Sequence, residues 1–128
     1  MRLYIASTLA NWRCVRSYQR IAEEAGFRIT YDWTPLGEQR SAGEVIYDPQ
    51  LLCRFAEQEM NGVLSADGFL LVLPAGAGSH VELGLFLGAG NGPAIVLGDC
   101  DLPTSFYYLP WVRRVRDLSA ALGYLKQA

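Results

Sequence analysis

The chain has 128 residues, 51% of them hydrophobic, with a mean hydropathy of +0.11, which suits one compact domain over residues 1–128 and leaves too little for a second core. Eleven basic residues against 13 acidic ones give a net charge of −2 and a pI near 5.3, and the basic cluster is confined to Arg113, Arg114 and Arg116, which argues against a nucleic acid polymer as partner. Cys14, Cys53 and Cys100 are isolated thiols without C-x-x-C spacing, and one histidine is too few for a usual zinc site, so neither a disulfide framework nor a metal is expected. Met1 to Ala6 carries a charge at once and then a short apolar run, too short for a signal peptide core or a membrane span. The expected location is the cytoplasm.

In chain order, Leu3 to Ala6 reads as a first strand, and Trp12 to Ala25 as a helix with apolar Cys14, Val15, Tyr18, Ile21 and Ala22 at helical spacing, closed by Gly26. Arg28 to Tyr31 is a second strand. Thr34 to Tyr47 holds Pro35, Gly37, Gly43 and several charges and reads as a long loop of the kind that serves as a lid. Asp48-Pro49 is a helix start, with Asp as cap and Pro at the first helical position, and that helix should run to about Leu64. Phe69 to Leu73 has the apolar continuity of a central parallel strand, and Pro74 to Gly78 is the turn at its carboxyl end. An apolar helix follows to Gly90. Ala94 to Leu97 is a short buried strand, Asp99 to Pro110 a loop with three aromatics, Trp111 to Val115 an edge strand, and Asp117 to Lys126 a terminal helix. This alternation implies an α/β domain: a doubly wound parallel sheet of about five strands, ordered 2-1-3-4-5, with helices on both faces. Ligands of such sheets bind at the carboxyl ends of the strands.

At that rim, Glu82 is expected in the first turn of its helix, where unpaired N–H groups and the helix dipole favour a charged carboxylate. Ser79 and Glu82 also have the S-x-x-E spacing of a capping box, a role that needs no chemistry. Glu59 falls inside the apolar stripe of its helix, formed by Leu52, Phe55, Ala56, Met60 and Val63, which would keep it protonated unless it reaches into water at the stripe's edge. Asp32 and Trp33 lie at the carboxyl end of the second strand, on the same rim, and could contact a ligand. Ser7, Thr8 and Asn11 follow the first strand and could bind polar oxygens or a phosphate of a ligand, or simply cap the helix. Gly76, Gly78, Ser79 and His80 complete the candidate substrate surface. Gly76-Ala77-Gly78 is no dinucleotide fingerprint, because the third glycine would fall on Val81.

The run Pro74 to Gly90, PAGAGSHVELGLFLGAG, resembles the signature of the nucleoside 2-deoxyribosyltransferase family. The resemblance extends through Arg2 to Ser7, Tyr31-Asp32-Trp33-Thr34, Glu59 to Leu73 and Pro93 to Val96. It implies that Glu82 is the catalytic nucleophile, that Glu59 contacts the base, and that Tyr4 hydrogen-bonds the nucleophile and orients it, where pattern alone would make Tyr4 a core residue. It also supports the strand order and implies a homodimer or higher homo-oligomer whose sites are completed by a neighbouring subunit. Two positions depart from the family: Glu59 stands where Asp is usual, and Gly76 stands where relatives acting on free nucleosides can carry an acid and 5′-phosphate hydrolases a Ser.

The function implied is cleavage or transfer at the N-glycosidic bond of a small nucleoside or nucleotide, through a covalent glycosyl-Glu82 intermediate, to a free base or to water, with no cofactor. Two alternatives are a nucleoside 5′-monophosphate N-glycosidase and a non-catalytic nucleotide-sensing module. The absence of Arg or Lys from Pro74 to Val81 favours free deoxynucleosides as substrates.

Overall fold

The computed structural model describes residues 1–43, 48–99 and 104–128. The end of the expected lid, residues 44–47, and Cys100 with the three residues after it lie outside the described residues. Five parallel strands, β1 (Arg2–Ala6), β2 (Arg28–Ile29), β3 (Gly68–Val72), β4 (Ala94–Leu97) and β5 (Val112–Val115), form one sheet in the order β2-β1-β3-β4-β5, as expected. Pairing places Tyr4 beside Phe69 and Phe69 beside Ala94. Every residue of β3 and β4 is buried, the condition of strands covered on both faces, whereas β5 exposes Arg113 and Arg114 and forms an edge.

Helices α1 (Trp12–Glu24) and α5 (Leu118–Gln127) cover one face of the sheet, and α3 (Pro49–Ser65) and α4 (Ala77–Ala89) the other. Their ends follow the sequence closely. Gly26 closes α1 with φ +96°, the Asp48 carboxylate accepts from the Gln50 N–H at the head of α3, and the Asp117 carboxylate accepts from the Ala120 N–H at the head of α5. Cys14 is half-buried in α1 and Cys53 exposed on α3. Asp67, just before β3, accepts from the backbone N–H and the guanidinium of Arg2.

Two expectations are corrected. The stretch read as a loop from Thr34 contains helix α2 (Thr34–Ser41), because Asp32 accepts from both the N–H (2.9 Å) and the hydroxyl (2.6 Å) of Thr34 and Pro35 follows in the first turn. In addition, α4 starts at Ala77 and not at Ser79. Extended Gly76 is its cap, and Ser79 reaches back to accept from the Gly76 N–H at 2.7 Å. Glu82 is therefore the sixth residue of the helix and lies in its second turn.

The α3–α4 face of the core is built on aromatic packing: Tyr4 stacks on Phe69 at 5.8 Å and Phe69 on Phe86 at 5.4 Å. Gly62 lets α3 approach this layer, since a Cβ there would stand 2.6 Å from the Tyr31 Cβ and 3.1 Å from the Tyr4 ring. Gly62→Ala is expected to destabilise the fold by about 1–3 kcal/mol through overpacking. Urea denaturation checks this as a lower midpoint at unchanged slope.

Candidate active site

The carboxyl ends of β1 and β3 open into a cavity of about 360 Å³. Its floor is drawn together by the Pro74 carbonyl, which accepts from the Thr8 N–H at 3.1 Å and from the Ser7 hydroxyl at 3.0 Å, fastening the loop after β1 to the turn after β3. Asn11 donates to the Ser7 hydroxyl at 3.0 Å. Ser7 and Thr8 line the cavity, and neither Thr8 nor Asn11 caps a helix through its side chain. On the opposite wall lie Gly76, Gly78 and Ser79, from the head of α4.

Two acids and a phenol come from three converging elements. Glu82 of α4 faces the cavity yet is only 8% exposed, and its carboxylate accepts a hydrogen bond from the hydroxyl of fully buried Tyr4 on β1. Glu59 of α3 is half-buried and lines the same cavity. Burial pushes the Glu82 carboxyl up to about 7; the Tyr4 hydrogen bond opposes that shift, and the nearby charge of Glu59 adds to it. Burial also raises Glu59 above the ordinary carboxylate range. Tyr4 is raised by burial first and by Glu82 second, so its phenol stays protonated and donates. The expectation of a helix-end carboxylate held in its charged form is thus corrected: in the second turn Glu82 meets apolar neighbours and loses the benefit of the free N–H groups.

Trp33 lines the cavity and is fixed by its indole N–H, which donates to the Ile5 carbonyl at 2.7 Å. Asp32 and His80 do not line it. Asp32 is spent on the head of α2. The His80 ring bonds the Gly76 carbonyl at 2.8 Å and the Tyr107 hydroxyl at 2.7 Å, and so braces the turn from behind. A second hollow, of about 340 Å³ and mostly apolar, lies along α4 between His80, Leu87 and Phe106 and contains no acid. Both carboxyl groups lie on the first. The residue that sequence reasoning missed is Arg40 of α2, which lines the first cavity, as does Leu9. Among the described residues, no group of three or more His, Cys, Asp or Glu is placed to hold a metal ion, and no helix is long and apolar enough to cross a membrane.

This fold is similar to the solved structure of a CMP N-glycosidase from Clostridium botulinum, over 100% of both chains, with a TM-score of 0.59 and 16% sequence identity. No protein-family model matches the chain, and no curated protein matches it in sequence.

A folded-state value near 7 against an ordinary 4.5 means that Glu82 takes up a proton on folding. The associated stability is complete below about pH 4.5 and is lost as pH rises through 7, a difference of about 3 kcal/mol. Glu82→Gln, which holds no charge, is therefore expected to melt progressively higher than wild type between pH 5 and pH 8. A melting-temperature gap that does not change over that range would contradict the environment described for Glu82.

Proposed function

We propose that the chain is an enzyme that cleaves the N-glycosidic bond of a nucleoside or nucleotide, with Glu82 as nucleophile and Glu59 as proton donor. The observation that carries this reading is the Tyr4–Glu82 hydrogen bond on the wall of a cavity that also holds Glu59. One acid is oriented by a phenol and poised to ionise near neutrality. The other is raised above its ordinary value by burial, which favours its protonated form. Two carboxyl groups with these separate roles are what glycoside cleavage with retention requires.

In the first step a Glu82 oxygen bonds to the anomeric carbon, the bond from that carbon to the base nitrogen breaks, and Glu59 delivers its proton to the departing base. In the second, an acceptor attacks the same carbon and displaces Glu82. Water or a second base can serve, and Glu59, now ionised, removes the acceptor's proton. Tyr4 positions the attacking oxygen and stabilises the carboxylate once it is released. The likeness of the fold to a CMP N-glycosidase supports a nucleotide as donor and water as acceptor. A sensing module without turnover would have no use for two acids made less stable by burial, and we rank it below the enzyme.

The same reading extends to assembly. Helix α4 buries Ser79, Glu82, Leu83 and Phe86 but leaves Val81 64% exposed, and Phe106 beside it is 61% exposed. Tyr108 and Trp111 are exposed as well, and apolar side chains left in water in this way suit contact with a second copy of the chain. Sedimentation is expected to give a dimer or larger species at micromolar concentration; a monomer with full activity would refute this.

For the chemistry, base release followed by chromatography over a panel of nucleosides and their monophosphates is the test. Glu82→Gln is expected to remain folded and lose base release, because an amide is a poor nucleophile. Glu59→Gln is expected to lower the rate by roughly 10²–10⁴, less for bases that leave easily. Near wild-type cleavage by Glu82→Gln would overturn the mechanism.

A further inference from the structure

Arg40 is the cationic side chain on the wall of the catalytic cavity. The other arginines of this region are engaged elsewhere. Arg16 donates to the Thr34 hydroxyl at 3.1 Å and to Glu38 at 3.2 Å, and the guanidinium groups of Arg13 and Arg16 lie over the Trp12 ring at 5.0 and 4.7 Å. Arg40 makes no side-chain hydrogen bond or ion pair among the described residues, although two carboxyl groups share its cavity. Burial, Tyr4 and Glu59 account for the state of Glu82, and burial alone for that of Glu59, with no contribution from Arg40 to either. The guanidinium therefore stands apart from the acids within the same hollow.

Its place there is built. Helix α2 is seated on the turn after β1 through Gly37, where a Cβ would come within 2.6 Å of the Leu9 carbonyl and 2.7 Å of the Trp12 Cβ. Trp33 anchors its head, and the Trp12 indole donates to Ser41 at its tail at 3.1 Å. Arg40, one turn beyond Gly37, is carried toward the cavity by a segment fixed at both ends.

We infer that Arg40 binds a phosphate on the sugar of the substrate, which makes nucleoside 5′-monophosphates the preferred class. The inference rests on the N-glycosidase reading of Glu82 and Glu59. With the anomeric carbon at Glu82 and the base at Glu59, a 5′ substituent is held off from the acids by the ring oxygen, C4′ and C5′, so it needs a cation separated from both. Arg40 meets that condition. A guanidinium offers phosphate two parallel N–H donors, and charge-assisted pairs of this kind are stronger than neutral ones. A neutral 5′-hydroxyl would leave Arg40 without a counter-charge. The expectation that free deoxynucleosides are preferred rested on the lack of a cation between Pro74 and Val81; the cation comes instead from α2, across the cavity.

The test is kcat/KM for a panel of ribo- and deoxyribonucleoside 5′-monophosphates and the matching nucleosides, on wild type, Arg40→Gln and Arg40→Lys. The wild type is expected to prefer the monophosphates. In Arg40→Gln the ratio of monophosphate to nucleoside kcat/KM should fall at least tenfold, chiefly through KM, with Arg40→Lys intermediate. A ratio unchanged within twofold, or a wild type that prefers nucleosides, would overturn the inference. Titration calorimetry with the same monophosphates reads the contact without turnover. If the wild type releases no base from any compound, the N-glycosidase reading fails, while at least tenfold weaker binding of monophosphate to Arg40→Gln would still uphold Arg40 as the phosphate contact; equal binding would overturn it. Inorganic phosphate binding as tightly as the monophosphates would overturn the assignment of a nucleotide.

Discussion

The hydrogen bond from Tyr4 to Glu82 joins a strand at the middle of the sheet to a helix lying on it, and much of the molecule is arranged to make that contact possible. Tyr4 is fully buried, so its hydroxyl needs an acceptor, and the acceptor chosen is itself an acid removed from water. Each group resolves a cost that the other would bear alone: the phenol has a partner, and the carboxylate, once ionised, has a donor. The aromatic layer of Tyr4, Phe69 and Phe86 holds the phenol in its plane, and Gly62 allows α3 to close over it with Glu59 on the cavity side. An acid pair of this kind is maintained against stability. Such sites depend on a rigid surround, and the completely buried strands β3 and β4 supply one.

A second knot lies in the turn from Pro74 to Ser79. The Pro74 carbonyl collects donors from the loop after β1, Gly76 is bonded by Ser79, and the Gly76 carbonyl is held by His80. The result is a short stretch of backbone with few side chains of its own, fixed from both sides and open to a ligand on the third. Small residues here leave room for substrate, and bonds from neighbouring residues replace the rigidity those small residues lack.

The order of strands, the identity of the long helices and their caps were legible because continuous apolar runs, helical spacing and Asp or Gly at helix ends are local signals. Glu82 was named from its place on the rim, Glu59 from the apolar stripe of its helix and Tyr4 from resemblance alone, and the structure bonds Tyr4 to Glu82 beside a cavity that Glu59 also lines. What escaped depended on contacts between distant residues. Helix α2 has Pro35, Gly37 and Arg40 within eight residues and almost no amphipathic pattern; it forms because Asp32 bonds Thr34 and because Gly37 fits against Leu9 and Trp12, and neither partner is visible in the local run. Arg40 was lost with it, although a helix through Gly37 would have put Arg40 on the seated side. The start of α4 was misplaced for a related reason: Ser79 has the composition of a cap but acts from inside the helix on Gly76. Asp32 and His80, polar residues at the rim, were expected to meet substrate and are occupied instead by backbone and by Tyr107.

Helix α2 is tied to α1 and the turn before it through Gly37, Ser41, Thr34 and Glu38, whereas the acid pair belongs to β1, α3 and α4. The acid pair and Arg40 are thus carried by separate stretches of chain with separate supports. On the proposed reading, an engineer could exchange the segment from Thr34 to Ser41 to accept sugars of different charge and leave Glu82, Glu59 and Tyr4 as they stand, provided that a glycine is kept at position 37.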